Sequence, residues 1–161
     1  MKQELTNRFN KILNEASDQD LHILDQLMEG LQLKQNEETS TYLSSSLLLE
    51  RTVTDTSCTV TIPITPYIYN SLGIPHGGIL AGIMDTAMGI LANQSLTEGF
   101  AAVTTNLSIN YLSIGTGDQI HATAQYAHKG KRTMVIESVV TDNTGRKLAI
   151  ATGSFFVVAT S

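Results

Sequence analysis

The segment Asn70-Ser-Leu-Gly-Ile-Pro-His76-Gly77-Gly78 runs directly into an apolar stretch that carries Asp85. Asp85 is the only Asp, Glu, Lys or Arg between Asp55 and Glu98. A carboxylate alone in so apolar a run is costly to bury unless it has partners or a task. A Gly77-Gly78 step at the head of a helix also leaves backbone N–H groups free for an incoming oxygen. Together they read as a base and an oxyanion site, and the chain as an enzyme.

Spacing adds a constraint. Gly77 and Asp85 are eight residues apart, or ~12 Å along a helix, too far for both to touch one small reacting group. If both act, each site takes Gly77 from one subunit and Asp85 from the other. A two-fold axis then makes two equivalent sites, so the enzyme reading itself predicts a homodimer.

The elements that must position these residues follow from periodicity. Residues 3 to 33 show helical spacing, with Leu5, Phe9, Ile12, Leu13 and Ala16, then Leu21, Leu24, Leu27, Met28 and Leu31. Ser17-Asp18-Gln19-Asp20 interrupts the pattern as an N-cap for a second helix. The polar stretch 34–40 reads as a linker, so residues 1–40 form a helical extension and 41–161 the main domain. From about Ser46 the pattern turns to strands, and Cys58, Val60, Ile62 and Ile64 alternate on one side. Residues 77 to about 95 are the one long helix of this part, apolar almost all round and therefore wrapped by its surroundings. Four strand-like runs follow, at 102–112, 119–128, 132–142 and 147–158, joined by short turns that predict an antiparallel meander. The fold class is α+β, one central helix against an antiparallel sheet.

Composition narrows the function classes. A net charge of -5 argues against a nucleic-acid partner, which a basic face would serve. The most apolar run, Ile79 to Ala92, is too short to span a bilayer and contains Asp85, and the N-terminus has no apolar signal core. A soluble cytoplasmic protein with no membrane partner is expected. Cys58 lies among alternating strand residues and reads as a buried small hydrophobe. His22, His76, His121 and His128 show no close ligand spacing beside that single cysteine, so no metal site is expected.

Asn70-x-x-Gly73-x-x-His76-Gly77-Gly78, with Asp85 and the later strands, resembles the hotdog-fold thioesterases, in particular the PaaI-type branch of the 4-hydroxybenzoyl-CoA thioesterase superfamily. The resemblance covers about residues 45 to 158. It implies a curled antiparallel sheet around a central helix, homodimers or a dimer of dimers, and hydrolysis of acyl-CoA thioesters. Coenzyme A is then part of the substrate, and no separate cofactor is called for. By the same resemblance, Asp85 is the catalytic carboxylate, as base or nucleophile. Gly77 supplies the N–H that polarises the carbonyl, with Gly78 beside it in the substrate site. Asn70 helps orient that carbonyl, His76 is the motif histidine, and Thr104 falls where relatives position the water.

Thioester hydrolysis needs an activated water and a home for the oxyanion. Asp85 should therefore have a hydrogen-bond donor, with Thr104 or Thr105 as candidates. His76 before Gly77 could instead cap the helix. Lys129, Lys131 and Arg132 are the densest basic cluster and could meet the coenzyme A phosphates, though they read equally as a solvated hairpin tip. Two other classes stay open: an acyl-CoA binding or sensing module without turnover, and a hotdog hydratase or dehydratase.

Overall fold

The computed structural model describes residues 1–39 and 41–160. The chain forms two compact units, 1–48 and 49–161. In the first, helices α1 (Lys2–Glu15) and α2 (Asp18–Gln35) are followed by the short α3 (Tyr42–Ser46). Ser17 caps α2 through a capping box with Asp20, at the position the sequence marks. α3 has no clear sequence signal; its five residues are too few for a period to show. It packs on α2 at Gly30, where a Cβ would lie 2.4 Å from the Ser45 carbonyl oxygen, and Gln26 Nε2 donates to Ser46 O at 2.8 Å.

The second unit is a six-stranded antiparallel sheet wrapped on helix α4 (Gly77–Gln94). The strands are β1 (Glu50–Val53), β2 (Ser57–Pro63), β3 (Phe100–Tyr111), β4 (Gln119–Lys129), β5 (Thr133–Asp142) and β6 (Lys147–Ala159). Their order is β1-β2-β4-β5-β6-β3. Leu80, Ile83, Met84, Ala87, Met88, Leu91 and Ala92 of α4 are buried. Against them lie Val60 and Ile62 of β2, Ile120, Ala122 and Ala124 of β4, Met134 and Ile136 of β5, and Phe155 of β6, all 1% exposed or less. Gly153 of β6 lets Met88 approach, since a Cβ there would sit 3.0 Å from its sulfur. Cys58 is fully buried, and burial pushes its thiol above the usual range.

One expectation is corrected. The four-stranded meander is a three-stranded one, β4-β5-β6, and β3 pairs with β6 instead of β4. The reason is that β2 already occupies the free edge of β4, in register from Ser57↔Gln125 to Pro63↔Gln119. The link 112–118 crosses the end of the sheet instead of turning back. Leu112 and Ser113 N–H groups donate to Leu148 O, and Ile64 N–H donates to Asp118 O. Gly115 lets this crossing approach Leu148, since a Cβ would meet a Leu148 methyl at 2.7 Å and displace it. Seven residues can span up to ~24 Å, ample for the ~14 Å across three inter-strand steps.

β3 is thus an edge strand twelve residues long, with Phe100, Val103 and Tyr111 exposed. The face of α4 that the sheet leaves open carries Gly78, Gly82, Asn93 and the half-buried Asp85, Thr86 and Gly89.

Candidate active site

The loop before α4 explains the Asn70-x-x-Gly73 spacing. Asn70 Oδ1 accepts from Leu72 N–H at 2.8 Å and Ile74 N–H at 3.5 Å, and Gly73 N–H donates to Asn70 O at 3.0 Å. Gly73 takes a φ of 71°, a left-handed conformation natural to glycine. His76 N–H then donates to Ile68 O at 2.8 Å, which delivers the chain to the helix. Asn70 Oδ1 is therefore committed to the turn, and its Nδ2 has no hydrogen-bond partner among the described residues.

His76 is the N-cap of α4. Its Nδ1 accepts from Gly78 N–H at 2.8 Å, while its carbonyl accepts from Ile79 and Leu80 N–H at 2.9 and 3.2 Å. A ring whose Nδ1 accepts carries its proton on Nε2 when neutral. The capping role that the sequence allowed is the one the geometry gives it. Gly78 N–H is thereby used, and Gly77 N–H is left without a partner among the described residues. Tyr111, at the end of β3, closes over this point. Its hydroxyl donates to Gly77 O at 2.9 Å, and its ring lies 3.3 Å from where a Gly77 Cβ would sit. In the sequence Tyr111 is marked only as part of the strand-like run 102–112. Its partner, thirty-four positions away, is a non-local pairing that no local pattern marks.

Asp85 is half-buried and faces β3. Thr104 Oγ1–H donates to Asp85 Oδ1 at 2.9 Å, which makes Thr104 the expected donor. Thr105 turns elsewhere, to Ser154 O at 3.0 Å. The choice between them is made by a bulge between Thr104 and Asn106 that places Thr104 opposite Phe155, on the helix side of the sheet. Two turns on, Asn93 fixes α4 to the same strand. Its Nδ2 donates to Ala102 O at 3.2 Å, and its Oδ1 accepts from Ala102 N–H at 2.9 Å. The sequence gives no signal for this clamp.

α4 is unbroken from Gly77 to Gln94, so Gly77 and Asp85 of one chain stand apart by ~12 Å. Within a protomer the structure pairs Asp85 with Thr104, His76 with Gly78 and Tyr111 with Gly77. Lys129, Lys131 and Arg132 are exposed near the other end of α4. Lys129 Nζ sits 4.7 Å from the centre of the Tyr126 ring, whose hydroxyl donates to Leu91 O. An open groove along α4, beginning one turn after Asp85 in the chain, is lined by Gly89, Ile90, Asn93 and Gln94 and by Arg51 and Val53 of β1.

Residues 72–149 match the family model of the Thioesterase superfamily. The BH2602 protein from Bacillus halodurans, solved with CoA, superposes with a TM-score of 0.88 at 36% identity, over 95% of this chain and 99% of that one. Acyl-coenzyme A thioesterase PaaI of Escherichia coli (strain K12) is 34% identical over 95 residues, which are 58% of this chain and 66% of that protein. Its solved structure has a TM-score of 0.70 at 26% identity, over 83% of this chain and 96% of that one. The 1,4-dihydroxy-2-naphthoyl-CoA hydrolase of Listeria monocytogenes serotype 1/2a (strain 10403S) is 28% identical over 92 residues, 57% of this chain and 75% of that protein.

Proposed function

The chain belongs to the Thioesterase superfamily, with the hotdog fold of its PaaI-type branch, and from that premise we propose that it hydrolyses acyl-CoA thioesters to a free acid and coenzyme A. The observation that carries the reading is the Asp85–Thr104 pair on the open face of α4, in the same fold as a helix N-terminus whose Gly77 N–H is unused.

In this reading Asp85 takes a proton from a water that its second carboxylate oxygen and Thr104 hold in place. The water oxygen attacks the thioester carbonyl as the C=O electrons move onto oxygen. The partner protomer supplies the Gly77 N–H, with Asn70 Nδ2, to hold that oxyanion. Collapse breaks the C–S bond, and the proton returns to the thiolate of coenzyme A. No separate cofactor enters. The groove beyond Asp85 receives the acyl group, and Lys129, Lys131 and Arg132 meet the phosphates.

The second protomer is a second copy of this chain pairing along β3. An edge of twelve residues with exposed Phe100 and Val103 offers backbone groups to another strand beyond Ala102, whose N–H and C=O Asn93 holds. That pairing is antiparallel about a two-fold axis and turns two open α4 faces toward a shared seam. A dimer of dimers extends it. Residues 1–40 act as an extension to the catalytic domain, 41–161. No helix among the described residues is long and apolar enough to cross a membrane, and we assign the enzyme to the cytoplasm.

The test is thiol release from a panel of aryl, phenylacetyl and medium-chain acyl-CoAs, with wild type and Asp85→Ala side by side. Turnover in the wild type that falls by ~100- to 10,000-fold in the variant is the expected result. Acyl-CoA binding without turnover in the wild type would refute hydrolysis and support the sensing module.

A further inference from the structure

Helix α1 is fourteen residues long and buries none of them. Leu5, Ile12 and Leu13 are 54, 46 and 41% exposed. A lone helix of this length is marginal in water, so a stable α1 needs something to cover its apolar stripe. That stripe, Leu5, Phe9, Ile12 and Ala16, recurs at steps of four, three and four residues. On α2, Leu21, Leu24, Met28 and Leu31 recur at three, four and three. Both are the spacing of a seam that takes another helix. α2 spends its other face, Gln26 and Gly30, on α3, which leaves this seam uncovered.

Leu13, Leu21, Leu24 and Met28 form the apolar floor of a groove at the elbow of the two helices, with Asp18 and Asp25 on its rim. The charges of the helices are opposite. α1 carries Lys2, Arg8 and Lys11 against Glu4 and Glu15, while α2 carries Asp18, Asp20, Asp25 and Glu29 against Lys34. Arg8 and Lys11 flank Phe9 and Ile12, so the basic residues border the stripe that the groove can receive. The extended Ala16 (φ -68°, ψ 135°) and the Ser17 cap set the elbow, and within its own chain the α1 stripe is at most half-buried, at Phe9 and Ala16.

We propose that α1 of one chain lies in the α1–α2 groove of a second copy, and reciprocally, so that two chains form a four-helix contact made by α1 and α2 alone. The occupant is a second copy because the acidic groove matches α1 itself. A membrane surface fits poorly: helices that lie on anionic lipid present many lysines and arginines, and the acidic α2 next to α1 repels such a surface.

The experiment uses full-length chains. A Phe9→Cys chain and a Leu24→Cys chain carrying different tags are produced together and oxidised; the native Cys58, fully buried, takes no part. A disulfide joining the two tags, in excess of like-with-like links, is expected. Its absence, or only Phe9→Cys chains linked to each other, overturns the proposal. In the second arm, Arg8→Glu with Lys11→Glu weakens self-association in ultracentrifugation by about tenfold. Adding Asp18→Lys and Asp25→Lys to that chain restores it. Unchanged association in the first variant, no rescue in the second, or binding of the wild type to phosphatidylserine vesicles in preference to itself would each overturn the assignment. Circular dichroism of each variant checks that the helices persist, and the rescue separates lost pairing from lost folding.

Discussion

If each site takes Gly77 from one chain and Asp85 from the other, two inactive chains should make an active dimer. The variants follow from the local structure. Gly77→Pro removes the one N–H at issue and little else. Position 77 is the first residue of α4, where proline is well tolerated, and His76 (φ -70°, ψ 130°) already has the backbone that precedes proline. The new Cβ meets the Tyr111 ring at 3.3 Å, and that residue is 54% exposed, so it can move aside at the expense of its hydrogen bond to Gly77 O. Gly77→Ala imposes the same contact but keeps the N–H, so it is the control. Loss of one oxyanion donor lowers kcat by ~100- to 1,000-fold, and loss of the base in Asp85→Ala by ~100- to 10,000-fold.

Now let the two variants assemble at random in equal amounts. About half of the dimers are mixed, and each mixed dimer has one site with both native groups and one with neither, so about a quarter of wild-type activity returns. That is ~25-fold or more above either parent, given the losses above. Were both groups supplied by the same chain, no intact site could form and the mixture would stay at the parental level. The geometry favours the first outcome on two counts. The groups stand apart along an unbroken helix by ~12 Å, whereas a reacting carbonyl needs its donor and nucleophile each within ~3 Å. Moreover, first-turn N–H groups point out of the helix end, so a carbonyl bound to Gly77 lies still further from the same chain's Asp85. The assay is thiol release from the mixture, and from mixed dimers purified through two tags, where the expected return rises to about half of wild-type activity. Parental activity in that preparation, with Gly77→Ala near wild type, would refute the shared-site reasoning.

Other expectations follow from single contacts. Thr104→Val removes the donor to Asp85 and should lower kcat by roughly 10- to 100-fold, with Thr104→Ser recovering most of it in steady-state kinetics. Ser138 is 1% exposed and its hydroxyl has no partner among the described residues, so Ser138→Ala should raise Tm by roughly 2–4 °C in a thermal melt. Asp142 accepts from the Thr144 hydroxyl foremost, and from backbone N–H groups of Thr144, Arg146 and Thr116; together these hold its carboxyl at about 2, below the ordinary 3.8. The unfolded chain therefore binds more protons between those values. The resulting stability is fully present above pH 3.8 and is lost as pH falls through about 2. Denaturant unfolding across that window should show the slope in wild type, and Asp142→Asn should abolish this residue's share of it.

Much of this architecture is written locally. The capping box at Ser17, the turn at Asn70 and Gly73, and the span of α4 each depend on residues within a few positions of one another, so spacing alone marks them. The site is legible for the same reason as far as Asp85, whose isolation in an apolar run is itself the signal. What the sequence misplaces is decided at a distance. Short links predict that β3 lies beside β4, yet which edge a strand joins depends on what already occupies that edge, and β2 arrives there from 62 positions earlier in the chain. The same displacement is what matters for chemistry. By giving up the edge of β4, β3 becomes the outer strand beside β6, with a bulge that turns Thr104 toward Asp85. Had the meander closed as its links suggest, the long edge would belong to β6 and Thr104 would stand against another strand. The non-local pairing that defeats local reasoning therefore assembles the Asp85–Thr104 pair and leaves β3 at the edge of the sheet. One topological choice underlies both the Asp85–Thr104 pair and the edge along which we propose that two copies meet.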